Sequence, residues 1–185
     1  MMKFKTCILI IALLAFLGCG KEDPCESVSC LNGTCANGVC NCVPGYTGSD
    51  CSQQVKPIRI NIQKIKVIDF PITDAGGASW DLTNGADIYV SLALNGEVIA
   101  DNKDSRILNV TDLPVTWNAL PTTFEMDEVT NQYTLGLFDA DDFDTDDYIS
   151  GVNFTPYSSN NGFPKTFLLE CSGCPTIELT FDYDF

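Results

Sequence analysis

The chain has no histidine among its 185 residues. Histidine is the commonest general base and the commonest metal ligand, so Ser-His-Asp, Cys-His and HExxH chemistry are all excluded. Positive charge is also scarce. Ten Lys+Arg stand against 25 Asp+Glu, for a formal charge of -15. Nucleic-acid binding draws on counterions released by a basic surface, so nucleic acid is not an expected partner. An acidic surface suits solubility, or cation binding where the acids cluster. Long apolar runs are missing: the longest, Cys7 to Leu17, covers 11 residues, where a permanent membrane-spanning helix needs about 20. Cysteine is absent between Cys51 and Cys171. Six of the ten cysteines crowd between Cys25 and Cys51 instead. That density indicates an oxidising compartment.

The short apolar run follows Lys3 and Lys5 and ends in Phe16-Leu17-Gly18-Cys19. A basic start, an apolar core and a small residue at the end describe a secretory signal. The four closing residues resemble a bacterial lipoprotein lipobox. The resemblance implies that residues 1–18 are removed and that Cys19 carries lipid, palmitate among the usual chains. An ordinary cleaved signal or an N-terminal membrane anchor is the alternative. Several acyl chains together make a stable anchor. Residues 19–24 then form a lipidated linker. Its Gly20-Lys21-Glu22-Asp23 looks like the acidic surface-export tag of some bacterial lipoproteins, a resemblance that implies display on the outer membrane, facing outward; a solvated linker is the alternative. Loss of Lys3 and Lys5 leaves 8 basic against 25 acidic residues, a charge near -17.

Residues 25–52 cannot bury enough apolar area to fold without crosslinks. The spacing is Cys25-x4-Cys30-x4-Cys35-x4-Cys40-x-Cys42-x8-Cys51, with turn dipeptides at Asn32-Gly33, Asn37-Gly38 and Pro44-Gly45. Six cysteines allow 15 pairings, which spacing alone leaves open. Cys40-Asn41-Cys42 followed by Pro44-Gly45-Tyr46-Thr47-Gly48 and Cys51 resembles an EGF-like module. The resemblance implies the pairs Cys25–Cys35, Cys30–Cys40 and Cys42–Cys51. The calcium-binding version carries an acidic run before the first cysteine and a hydroxylatable Asp/Asn with an aromatic after the third. Here Glu22-Asp23-Pro24 and a four-residue gap after Cys35 do not supply them. A spacer or protein-contact role is expected. Zinc is disfavoured by export and by the missing histidine.

Residues 56–185 alternate at period two, the signature of half-buried strands. Ile58, Ile60 and Ile62 give way to Ile65 and Val67 after a one-residue shift that reads as a bulge. Ile88, Val90, Leu92 and Leu94 end at the hairpin signal Asn95-Gly96. Tyr133, Leu135 and Leu137 alternate, as do Ile177, Leu179, Phe181, Tyr183 and Phe185. Many short strands punctuated by Gly, Pro and Asn predict an all-β, antiparallel, eight-stranded sandwich. Cys171 and Cys174 flank a turn before the last strand. In an exported all-β domain they are expected to form a structural disulfide.

Two acidic loops stand out. Asp81 and Asp87 flank the first, and six aspartates fall within residues 139–147. Two carboxylates about 5 Å apart repel by roughly 3 kcal/mol at an effective dielectric near 20. Calcium, which takes six to eight hard oxygen ligands, relieves such crowding. An EF-hand starting at Asp142 fails, because its sixth and twelfth positions are Asp147 and Asn153. The pattern resembles the C-two domain, the calcium-dependent phospholipid-binding sandwich. The matching pieces are Asp81 and Asp87-Ile88-Tyr89-Val90, then Leu113-Pro114-Val115-Thr116-Trp117-Asn118, then Asp139-x-Asp141 and Asp147-Tyr148-Ile149-Ser150-Gly151. The resemblance implies a permuted topology with the first and last strands as neighbours. It implies that Asp81, Asp87, Asp139, Asp141 and Asp147 hold Ca2+, with Asp74 as the alternative to Asp81. It also makes Leu82 and Phe143 loop-tip contacts for a membrane or a partner. The two loops carry no basic residue of their own, and Asp142, Asp144 and Asp146 add negative charge, which argues against anionic lipid.

These readings converge on a non-enzymatic, calcium-dependent surface binding or adhesion lipoprotein, whose partner is a surface protein or a glycan. A structural or assembly component of the envelope without a functional metal is the alternative. A glycan-acting enzyme using paired carboxylates is the third reading.

Overall fold

A computed structural model describes residues 22–74, 76–81, 85–120, 124–142 and 144–185. The signal segment, Cys19, Leu82 and Phe143 lie outside the described residues. The chain divides into two compact units between Gln53 and Gln54.

The small unit is a pair of turns held by sulfur. Strand β1 (Gly33–Ala36) pairs antiparallel with β2 (Val39–Cys42). Asn37 and Gly38 connect them, both at positive φ, as an Asn-Gly turn requires. The short β3 (Tyr46–Thr47) pairs with β4 (Gln53–Gln54) at the boundary. The disulfides are Cys25–Cys35, Cys30–Cys40 and Cys42–Cys51, the pairing that the EGF-like resemblance implies. Gly33 lies against both a strand carbonyl and a disulfide sulfur. A Cβ there would lie 2.4 Å from the Asn41 carbonyl oxygen and 2.9 Å from Cys51 Sγ.

The larger unit is an antiparallel sandwich. Its strands are β5 (Arg59–Asp69), β6 (Ala86–Leu94), β7 (Glu97–Asp101), β8 (Ile107–Val110), β9 (Val115–Trp117), β10 (Phe124–Met126), β11 (Tyr133–Asp139), β12 (Asp147–Phe154), β13 (Thr166–Leu169) and β14 (Thr176–Asp184). One sheet runs β10-β5-β14-β13, with β9 continuing the β10 row along β5. The other runs β12-β11-β6-β7, with β8 continuing the β7 row along β6. Each sheet therefore has four rows, and one edge row of each is broken in two. That gives the eight rows expected. The first and last strands, β5 and β14, are neighbours.

The hydrophobic alternation lands where the sequence places it except at its ends, where Ile58 and Phe185 lie outside the strands and are exposed. Opposite β14, Ile62 pairs with Phe181 and Lys64 with Thr180, so Gln63 is the extra residue of a bulge. That bulge returns Ile65 and Val67 to the same buried face as Ile60 and Ile62. The β6–β7 hairpin closes with Leu94 opposite Glu97 through Asn95 (φ 53°) and Gly96 (φ 84°). Ile88, Val90, Leu92, Leu135, Leu137, Ile177 and Leu179 are fully buried between the sheets. Cys171 and Cys174 form the expected disulfide in the β13–β14 connection.

Candidate metal site at one end of the sandwich

Strands β6, β11 and β12 meet the acid loops at one end of their sheet. Asp87 is the second residue of β6, Asp139 closes β11 and Asp147 opens β12. In the ladder Asp139 lies opposite Asp147 on one side and opposite Ile88 on the other. The register therefore brings Asp87 and Asp139, 52 positions apart in sequence, to adjacent rows, with Asp147 one row further on. Gly85 fixes the approach to β6. A Cβ at that position would lie 2.2 Å from the Val110 carbonyl oxygen, so the backbone contact excludes any side chain.

Asp139 is the centre of the arrangement. It is 1% exposed. Its Oδ1 accepts the Asp87 backbone N–H at 2.6 Å, and the Ala140 N–H donates back to the Asp87 carbonyl at 2.9 Å. Its Oδ2 is buried without a hydrogen-bond partner. Burial pushes its carboxyl up to about 6, and the charges of Asp81, Asp141 and Asp87 push the same way. Burial, then the charges of Asp147, Asp81, Asp144 and Asp146, raise Asp141. Burial and Asp87 raise Asp81. The expected ligands thus share one electrostatic neighbourhood. Among the described residues, no group of three or more acidic side chains is drawn together tightly enough to hold an ion as placed. Like charges keep their distance unless a cation offsets their repulsion.

The ambiguity between Asp74 and Asp81 has a geometric counterpart. Asp74 Oδ1 accepts the N–H groups of Gly76 and Ala78, both at 2.8 Å, so this carboxylate closes its own turn. Asp81 is the one whose charge reaches Asp139 and Asp141.

The expectation that Asp142, Asp144 and Asp146 leave uncompensated negative charge needs correction. The two loops contain no Lys or Arg, but a third connection supplies both. Between β7 and β8, Lys103 Nζ lies 2.6 Å from Asp146 Oδ2. Arg106 Nη2 lies 3.0 Å from Asp142 Oδ1, and its Nε lies 3.9 Å from Asp87 Oδ2. Tyr89 also donates its hydroxyl to Asp146 at 2.7 Å. Burial works against the Asp146 charge, yet the Lys103 and Tyr89 bonds hold its carboxyl below the usual carboxylate range. Excess negative charge is therefore partly neutralised from within. No ion pair reaches Asp81, Asp139, Asp141 or Asp147 among the described residues. The donor set, hard carboxylate oxygens with one of them buried and unpartnered, fits a hard cation such as calcium.

Some carboxylates elsewhere have side-chain partners. In a cleft of about 490 Å³ along β5, Arg59 pairs with Glu125 at 3.3 Å and Asn61 donates to Asp184 at 3.1 Å.

No family model matches the chain, and no curated protein does. Solved structures of C-two domains are similar to the sandwich in outline. One C-two domain matches at a TM-score of 0.46 and 15% identity, covering 69% of this chain and 98% of that one. A C-two domain of plant Extended Synaptotagmin 1 matches at a TM-score of 0.44 and 14% identity, over 70% of this chain and 97% of that one. Human GIVD cytosolic phospholipase A2 matches at a TM-score of 0.43 and 20% identity, over 68% of this chain but only 16% of the enzyme. Likenesses this distant carry no weight for function.

Proposed function

We propose that this chain is a surface-displayed lipoprotein whose β-sandwich binds calcium and, through the calcium-ordered loops, a surface protein or a glycan. One observation carries the reading. Asp139 is almost wholly buried, with a carboxylate oxygen that finds no partner, amid the like charges of Asp81, Asp87 and Asp141. A buried ionised carboxylate without compensation is costly, and a divalent cation supplies the compensation. Asp81, Asp87, Asp139, Asp141 and Asp147 would hold the ion. Lipid on Cys19 would tether the chain, and the disulfide module would space the sandwich from the membrane.

Calcium calorimetry on the full chain tests this. Binding in the range of about 10⁻⁴ to 10⁻³ M, typical of extracellular modules, is expected. Absence of binding by wild type at millimolar calcium sinks the reading.

A second reading has its own observation. Lys103 and Arg106 already neutralise Asp146, Asp142 and part of Asp87. A metal-free assembly component of the envelope would use those pairs alone. It would melt at the same temperature in calcium and in chelator.

A further inference from the structure

The turn that carries Lys103 and Arg106 is fastened to both sheets. Asn102 is 1% exposed, and its Oδ1 accepts the Val90 N–H at 2.8 Å while its own N–H donates to the Val90 carbonyl at 3.1 Å. That ties the turn to β6. Three residues on, the Ser105 carbonyl accepts the indole N–H of Trp117 at 2.8 Å, and Trp117 belongs to β9 in the other sheet. Between these anchors the backbone makes a single 3₁₀ turn, Lys103–Ser105. Seven Lys and Arg occur in residues 54–185, and two of them sit on or directly after this turn, facing the acid loops.

The two cations hold their acids differently. Lys103 Nζ lies within 2.7 Å of both Asp146 oxygens. Tyr89 and the Asp141 backbone N–H, at 2.7 and 3.2 Å, complete the coordination of that carboxylate. All acceptor capacity of Asp146 is in use. Arg106 is firm on Asp142 at 3.0 Å but loose on Asp87. At 3.9 Å its Nε makes an ion pair with Asp87 without a hydrogen bond, and that Nε is buried with no other partner. Asp87 Oδ1 is meanwhile held by the Asn109 N–H at 2.7 Å, which fixes the carboxylate whether or not Arg106 stays.

Resting on the calcium reading above, the geometry points to Lys103 and Arg106 as built-in counterions that divide the acid loops into a locked half and a releasable half, with Arg106 setting calcium affinity by competing for Asp87. Lys103 keeps Asp146 out of the coordination set. Arg106, paired with Asp87 across 3.9 Å, is a constant rival for that carboxylate. It keeps the loops assembled without calcium and yields when a dication displaces it. Arg106 is a positioning residue and is not a ligand.

Calcium titration of the full chain by calorimetry, paired with melting in chelator, tests this. For Arg106→Gln, calcium affinity should rise about tenfold, the effect of removing one positive charge a few ångströms from a dication. The same variant should melt lower than wild type in chelator and recover in calcium. Arg106→Lys, which keeps the charge, should stay within about threefold of wild type. Equal or weaker binding by Arg106→Gln overturns the proposal, as does a variant unfolded both with and without calcium. Wild type that binds no calcium overturns this inference and the calcium reading together. Wild type that binds while Arg106→Gln is unchanged overturns this inference alone.

Discussion

The backbone N–H of Asp87 donates to Asp139 Oδ1 at 2.6 Å, which leaves the second oxygen of the same buried carboxylate unpartnered. This one bond ties the start of β6 to the end of β11. It aligns the first acid loop with the second. It also divides the Asp139 carboxylate into a structural oxygen and a spare one, and the spare one motivates the metal reading.

Asp139→Asn separates the two roles. Its folded carboxyl is raised to about 6, above the ordinary carboxylate value. A raised group contributes stability that is full below its unfolded pKa and is lost as pH rises through the folded one. In chelator, wild type should therefore lose stability between about pH 4 and pH 6. Asn abolishes that loss and should melt at least as high as wild type at pH 7.5. In calcium the order should reverse, because the variant lacks a ligand. Thermal melts at several pH values, with and without calcium, read both effects.

Asp141→Asn should weaken calcium binding without touching the Asp87–Asp139 bond. The expected readout is a smaller calcium-induced rise in melting temperature, with a melt in chelator at neutral pH no lower than that of wild type, because the like charges that raise Asp141 are relieved. A full-sized calcium response in the double variant Asp139→Asn, Asp141→Asn would remove both residues from the site.

Gly85→Ala places a Cβ 2.2 Å from the Val110 carbonyl, a contact that forces the backbone apart. Overpacking of this kind costs about 1–3 kcal/mol. The displacement acts two residues before Asp87, so calcium response should fall together with the melting temperature.

Asn102→Ala orphans the Val90 N–H inside the sheet and frees one end of the turn bearing Lys103 and Arg106. A buried donor left unsatisfied costs about 1–3 kcal/mol. Chemical denaturation should show that loss. Asn102→Asp, which keeps an acceptor, should recover less than the full amount because it buries a charge.

Replacing Cys171 and Cys174 by Ser opens a loop only three residues apart in sequence. Loop-entropy arguments limit the loss to about 2 kcal/mol. The double variant should fold and respond to calcium as wild type does.

The sandwich was legible because period-two alternation is a local signal. Ile60, Ile62, Ile65 and Val67 announce both a strand and its bulge, and Asn95-Gly96 announces its hairpin. The small module's crosslinks were open among 15 pairings until the Cys-Asn-Cys and Pro-Gly-Tyr-Thr-Gly pattern supplied a resemblance. The acid loops were legible as loops. Their counterions were not: Lys103 lies 43 residues from Asp146, and Arg106 lies 36 from Asp142. No local pattern links such positions, because a chain's long-range pairing depends on sheet register and edge placement.

The sequence by itself determined the all-β class, the strand faces, the crosslinked segment and the candidate acids, since each depends on residue type and short-range periodicity. Tertiary structure alone decided that Asp74 spends its carboxylate on its own turn, that Asp139 is buried with one idle oxygen, and that a turn from a third connection brings two cations to the acids. Burial and charge pairing are set by which strands lie side by side, and that adjacency joins residues far apart along the chain.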